Sequence, residues 1–234
     1  MLALERKATV SGGKAQVRAQ PFGGGIRILD PARLQEMVGE IEYDNERSRA
    51  ERDFRILIPP DKWETVKQYC LHHLADSQDM ELESLPDREL TEEFEENIGV
   101  RVMPDQYALQ PVGFVIEDNP APTKNARAPG QLTVRLYRIF EVRIVDPALY
   151  SAVLGASQRY TDRELGNLAL RDSRNGGRGR ANSVLTLPLS AVREAYLALR
   201  PEERFTKLEV NGHHLDESVL AVLYDIAVPQ YQRL

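Results

Sequence analysis

Apolar residues recur along this chain at two spacings, and these divide it into helices and strands. Leu90, Phe94 and Ile98 stand four apart, which on a helix makes one narrow stripe, so Ser84–Val100 is predicted to be helical. Ser84 followed by Asp87 is a capping signal, Pro86 suits a first turn, and Gly99 is placed to end the helix. Trp63, Val66, Tyr69, Cys70 and Leu74 predict a second helix from Asp61 to about Leu74. Asp30-Pro31 opens a helix to about Glu40, Asp146-Pro147 opens another, and Thr161-Asp-Arg-Glu164 is a capping box for a helix to about Leu170. Ser190–Leu199 and about Glu217–Ala227 complete the predicted helices.

Strand signals fall between them. Phe54–Ile58, Pro111–Glu117 and Val184–Pro188 are short apolar runs, and Asn211-Gly212 marks a tight hairpin. Leu132–Val145 is the longest signal. Its Val134, Leu136, Ile139, Val142, Ile144 and Val145, interleaved with Arg135, Arg138 and Arg143, predict a central strand covered at least partly on both faces. Three stretches read as connections: the mixed-charge residues 44–53, the Pro-rich Asp118–Gly130, and Asp172–Asn182. Residues 1–25, carrying Gly12-Gly13 and Gly23-Gly24-Gly25, read as a flexible arm with a short strand around Ala15–Ala19. Residues 26–234 are then a single α/β domain. Because strands and helices do not alternate strictly, the expected architecture is a mixed β-sheet sandwiched by helices.

Composition narrows the function classes. The chain has 234 residues, 42% hydrophobic and 28% charged, in the range of globular proteins. A net charge of −6 gives no general attraction to nucleic acid or to an acidic membrane, so a polyanion would need a local basic patch. The one cysteine, Cys70, excludes an intrachain disulfide and reads as a small core residue. Met1-Leu-Ala-Leu-Glu-Arg-Lys holds no apolar run of signal-peptide length and no segment is long enough to span a membrane, so a cytoplasmic location is expected.

Two constellations carry candidate chemistry. On the Ser84–Val100 helix, Glu89, Glu92, Glu93 and Glu96 fall within an arc of roughly 100° opposite the apolar stripe. Like charges four apart do not help a helix, which leaves arginines from elsewhere, a divalent cation or water to neutralise them. The second is Arg174-Asn-Gly-Gly-Arg178-Gly-Arg180, where glycines let backbone N–H groups approach an anion and arginines offer bidentate contacts to phosphate oxygens.

Arg88-Glu89-Leu90-Thr91-Glu92-Glu93 resembles the second half of the Nudix hydrolase box. The box opens on a Gly and an upstream Glu, where this chain has Leu74 and Met80. It closes on a Gly-apolar pair, where this chain has Glu95-Glu96, with Gly99-Val100 one turn later. The resemblance implies an α/β/α sandwich around a mixed sheet. It also implies a Mg²⁺ or Mn²⁺ site with Glu89, Glu92 and Glu93 as ligands, and Glu89 and Glu93 as the catalytic residues around a metal-activated water. Arg88 would orient a glutamate, and Arg174, Arg178 and Arg180 would clamp the substrate's diphosphate. Two functions follow: a divalent-metal-dependent pyrophosphohydrolase of a nucleoside diphosphate-linked substrate, or a catalytically inactive Nudix-like module. The latter would sense a nucleotide-type small molecule or dock on a protein partner or a second copy of the chain.

Overall fold

The computed structural model describes residues 1–122, 130–200, 203, 207–224 and 226–234. In chain order the elements are β1 (Leu2–Ser11), β2 (Lys14–Gln20), α1 (Ala32–Val38), β3 (Glu42–Tyr43), α2 (Glu46–Glu51), β4 (Ile56–Leu57), α3 (Trp63–Ala75) and α4 (Asp87–Ile98). They continue as β5 (Tyr107–Pro122), β6 (Leu132–Ile144), α5 (Pro147–Ser157), α6 (Asp162–Arg174), β7 (Arg180–Leu187), α7 (Leu189–Ala198), β8 (Glu209–Val210), β9 (His213–His214) and β10 (Gln232–Arg233). The mixed α/β content is as expected, but the strands do not form one mixed sheet. Among the described residues they form four small sheets, ordered β2-β1-β7, β10-β5-β6, β3-β4 and β8-β9.

The chain divides into two compact units: Met1–Gly23 with Leu90–Leu109 and Val142–Ala227, and Gly24–Glu89 with Gln110–Glu141 and Val228–Leu234. α4, β5 and β6 each have residues in both, so neither unit is a continuous stretch of chain. This replaces the expected arm and single domain. The first residues are no arm: Gly12 and Gly13, both at positive φ, turn β1 into β2, with Ser11 paired to Lys14. β1 then pairs antiparallel with β7, which makes the N-terminal strand the middle of its sheet.

In the first unit, strand alternation sorts β1 into two faces. Ala8 and Val10, with Val17 and Ala181 beside them, pack on Leu165 and Ala169 of α6. α6 lies close because Gly166 presents only hydrogen where a Cβ would stand 3.2 Å from the Ala15 methyl. Its start is the predicted capping box, with Thr161 and Glu164 exchanging hydrogen bonds. On the other face, Ala3 and Val184 join a core made by Leu90, Phe94 and Ile98 of α4 and by Leu149, Val153 and Ala156 of α5. Gly99, at φ +77°, ends α4 as expected, its N–H donating to the Glu95 carbonyl.

In the second unit, Val66, Tyr69, Cys70 and Leu74 of α3 pack with Ile28, Leu34, Leu82 and Phe114. The stretch 44–53 is not all connection: Asn45 caps α2 through its side chain, accepting from the N–H groups of Arg47 and Ser48. In the glycine run at 23–25, two carboxylates account for Gly24 and Gly25. A Cβ on Gly24 would fall 1.8 Å from the Glu89 carboxylate, and one on Gly25 would fall 1.7 Å from that of Asp53. Burial pushes the Asp53 carboxyl above its ordinary range.

The longest strand signal is corrected in position. β6 is the edge of its sheet, half-buried along most of its length, and β5 is the middle strand with Phe114, Val115 and Ile116 buried. β10, only two residues long, takes the other edge by pairing Gln232 with Ile116. β5 also extends to Pro122, into the stretch read as a loop, and residues 123–129 of that stretch lie outside those described. The last predicted helix is a 3₁₀ segment, Glu217–Val222, while the Asn211-Gly212 hairpin forms between β8 and β9 with both residues at positive φ.

Candidate functional site

The antiparallel register of β2-β1-β7 builds a polar surface on the face that α4 covers only in part. Lys7 stands opposite Arg18 on one side and Asn182 on the other, and Thr9 opposite Gln16 and Arg180. Opposed residues share a face, so these two rows lie on the side away from α6. Lys7, Arg178, Arg180, Asn182, Asp172 and Glu96 line a cavity of 320 Å³ there. A second, of 300 Å³, is lined by Lys7, Thr9, Gln16, Arg18 and Gln20.

The basic loop is shorter and more ordered than its sequence suggests. α6 continues to Arg174, and Arg180 already belongs to β7. Between them Asp172 accepts the backbone N–H groups of Gly179 at 2.8 Å and Arg180 at 3.3 Å, while Gly177 N–H donates to its carbonyl. Gly179 has φ +66° and a Cβ would stand 3.0 Å from Val10, so the tight entry to β7 requires glycine. Of the three arginines singled out, Arg178 and Arg180 meet at the cavity with their guanidinium groups exposed. Arg174 is exposed in the last turn of α6 and is not a lining residue. There it complements the helix dipole.

Deeper on the same face lies a carboxyl pair. Glu5 is fully buried; Lys7 Nζ lies 2.8 Å from one of its oxygens, and Gln20 Nε2 donates to the other at 2.8 Å. The Glu93 carboxyl of α4 is within hydrogen-bonding reach of Glu5 and accepts from Asn97 Nδ2 at 3.1 Å. Burial first, and the Glu5 charge next, raise the Glu93 pKa to about 8, so near neutrality Glu93 keeps its proton.

The three glutamates of the sequence motif occupy different surroundings. Glu89, in the second unit, pairs with Arg88 at 2.7 Å and abuts Gly24. Arg88 in turn bonds both oxygens of Glu83, at 2.8 and 2.6 Å, and the Gly25 carbonyl; burial lowers its pKa, but Glu83 and Glu89 together outweigh that and hold it above the usual arginine value. In the first unit, Glu92 is exposed and Glu93 turns to Glu5. A hard divalent cation needs several carboxylate or carbonyl oxygens converging within about 2.6 Å. Among the described residues no group of three or more His, Cys, Asp or Glu side chains is placed to hold a metal ion. The residues present therefore do not fit the expected Mg²⁺ or Mn²⁺ site.

Lys7, Glu5, Asn182 and the β2 residues were not legible as site residues. The signal that marks them is the alternation of Leu2, Leu4, Ala8 and Val10 with Glu5, Lys7 and Thr9, which is broken at Arg6 by a run of three charged residues. No family model, characterised protein or solved structure matches this chain. Among the described residues, no helix is long and apolar enough to cross a membrane.

Proposed function

We propose that this chain is a binding module for a phosphorylated small molecule, a nucleotide or a sugar phosphate, held on the polar face of the β2-β1-β7 sheet. The observation that carries the reading is the cavity where Lys7, Arg178 and Arg180 converge with the amide of Asn182. Arginine forks match phosphate oxygens in pairs, and Lys7, already paired with Glu5, adds a cationic side chain to the lining. Of the two carboxylates in the lining, Asp172 accepts from the loop backbone and Glu96 accepts from Asn182 Nδ2 at 3.5 Å, so an anion would meet the arginines with Glu96 beside them. A metal-dependent hydrolase of a nucleoside diphosphate-linked substrate would draw on Glu89, Glu92 and Glu93 together. Their separate surroundings favour the binding reading over the catalytic one.

Calorimetric titration with inorganic phosphate and pyrophosphate tests this. Wild type is expected to bind both, and Arg178→Ala/Arg180→Ala to lose at least tenfold in affinity. The melting temperature of the double variant should stay within about 2 °C, because exposed side chains contribute little packing. A wild type that takes up neither anion refutes the reading. A melting temperature raised several degrees by millimolar Mg²⁺ alone would show a native-state cation site and favour the metal-dependent reading instead.

A further inference from the structure

We propose that the same sheet face holds a second subsite, built from Thr9, Gln16, Gln20 and Arg18, that takes the hydroxyl groups of a sugar. The ligand of the whole face is then a sugar phosphate. This rests on the phosphate reading above and adds the chemical class of the rest of the ligand.

The two cavities share Lys7, which makes them neighbours on one surface. The register runs Arg18–Lys7–Asn182 and Gln16–Thr9–Arg180, so the second subsite lies on the β2 side of Lys7 and the arginine pocket on the β7 side. Adjacent strands are about 4.8 Å apart, so side chains of β2 and β7 are separated by about 10 Å, a span that a pentose or hexose phosphate covers.

The chemistry of the two ends differs. The β7 end has the arginine pair. The β2 end offers a hydroxyl and two carboxamides, each with donor and acceptor capacity, beside one arginine. A sugar hydroxyl is both donor and acceptor, and a row of such mixed groups satisfies vicinal hydroxyls where a purely cationic surface would not. Thr9 and Gln16 are exposed. Gln20 spends its N–H on Glu5 and keeps its carbonyl oxygen for a ligand. Arg18 is held only loosely, 3.9 Å from Asp216. Among the described residues neither cavity has an aromatic side chain in its lining, so these residues offer a nucleobase no stacking surface.

The test is calorimetric titration of wild type, Thr9→Ala/Gln16→Ala and Arg178→Ala/Arg180→Ala with inorganic phosphate, ribose 5-phosphate, glucose 6-phosphate and AMP. Wild type is expected to bind the better sugar phosphate at least tenfold more tightly than phosphate, and AMP no more tightly than ribose 5-phosphate. Thr9→Ala/Gln16→Ala is expected to lose that preference while keeping its phosphate affinity, and the arginine variant to weaken for every ligand. Equal affinity for phosphate and both sugar phosphates overturns the second subsite and leaves the phosphate reading standing. The same holds if the preference survives in Thr9→Ala/Gln16→Ala, or if AMP binds more tightly than ribose 5-phosphate. No binding of any of the four ligands overturns both.

Discussion

Replacing Glu93 by glutamine tests the carboxyl pair, because it keeps the side chain's shape and removes its titration. Glu93 faces Glu5 and Lys7 from β1, and Glu96 and Asn97 from its own helix; Lys7 lowers its pKa while Glu5 and Glu96 raise it, and burial outweighs them all. Its pKa is thereby moved from 4.5 to about 8. Below about pH 4.5 the group is protonated in folded and unfolded chains alike, and the stability it contributes is whole. Between there and about pH 8 the unfolded chain releases a proton that the folded chain keeps, so stability is lost as the pH rises, and above that it levels off. At about 1.4 kcal/mol per pH unit, a gap of this size sets a ceiling of about 5 kcal/mol. Glu93 is only partly buried and solvent screens it, which brings the expected loss to about 1–3 kcal/mol. In Glu93→Gln the amide donates to the Glu5 carboxylate in place of the Glu93 proton. Urea denaturation at pH 5, 6.5 and 8.5, followed by far-ultraviolet circular dichroism, measures the difference and cancels the other titrating groups. The two proteins should be close at pH 5, and the variant more stable by about 1–3 kcal/mol at pH 8.5. A constant difference across the three pH values, or a variant that loses ground as the pH rises, would refute the argument.

Two further expectations follow from close contacts. Gly24→Ala sets a methyl against the Glu89 carboxylate, which must swing away from Arg88, so a cost of about 1 kcal/mol is expected. In a Glu89→Ala background the same change should cost nothing, and a cycle with no coupling between the two sites sinks the contact. Cys70 is buried and its thiol pushed up to about 12, so it should resist a disulfide reagent at pH 8 in the folded chain and react at once in urea. Rapid labelling of the native protein would place Cys70 outside the core.

What the residues determine alone is mostly local. The α6 capping box, the Asn211-Gly212 hairpin, the glycine stop of α4 and the apolar stripes of α3 and α4 formed where the spacing put them, because each depends on groups within a few residues. The arginine loop was also legible in part: Arg178 and Arg180 do converge on a cavity. Three things needed the tertiary structure. The N-terminal residues became the middle of a sheet only by pairing with β7, some 180 positions away in sequence, and no local pattern encodes such a partner. β5 rather than β6 became the middle strand because β10, a two-residue strand too short to leave a periodic signal, pairs on its other side, while among the described residues β6 pairs with β5 alone. The fate of the glutamates turned on neighbours outside the helix. A helical wheel puts Glu89, Glu92 and Glu93 on one side, but Arg88 and Gly24 claim the first, and the last is buried beside Glu5. Spacing along a helix fixes the direction in which a side chain leaves the axis; what it meets, and so its charge, is fixed by the chain that folds against it.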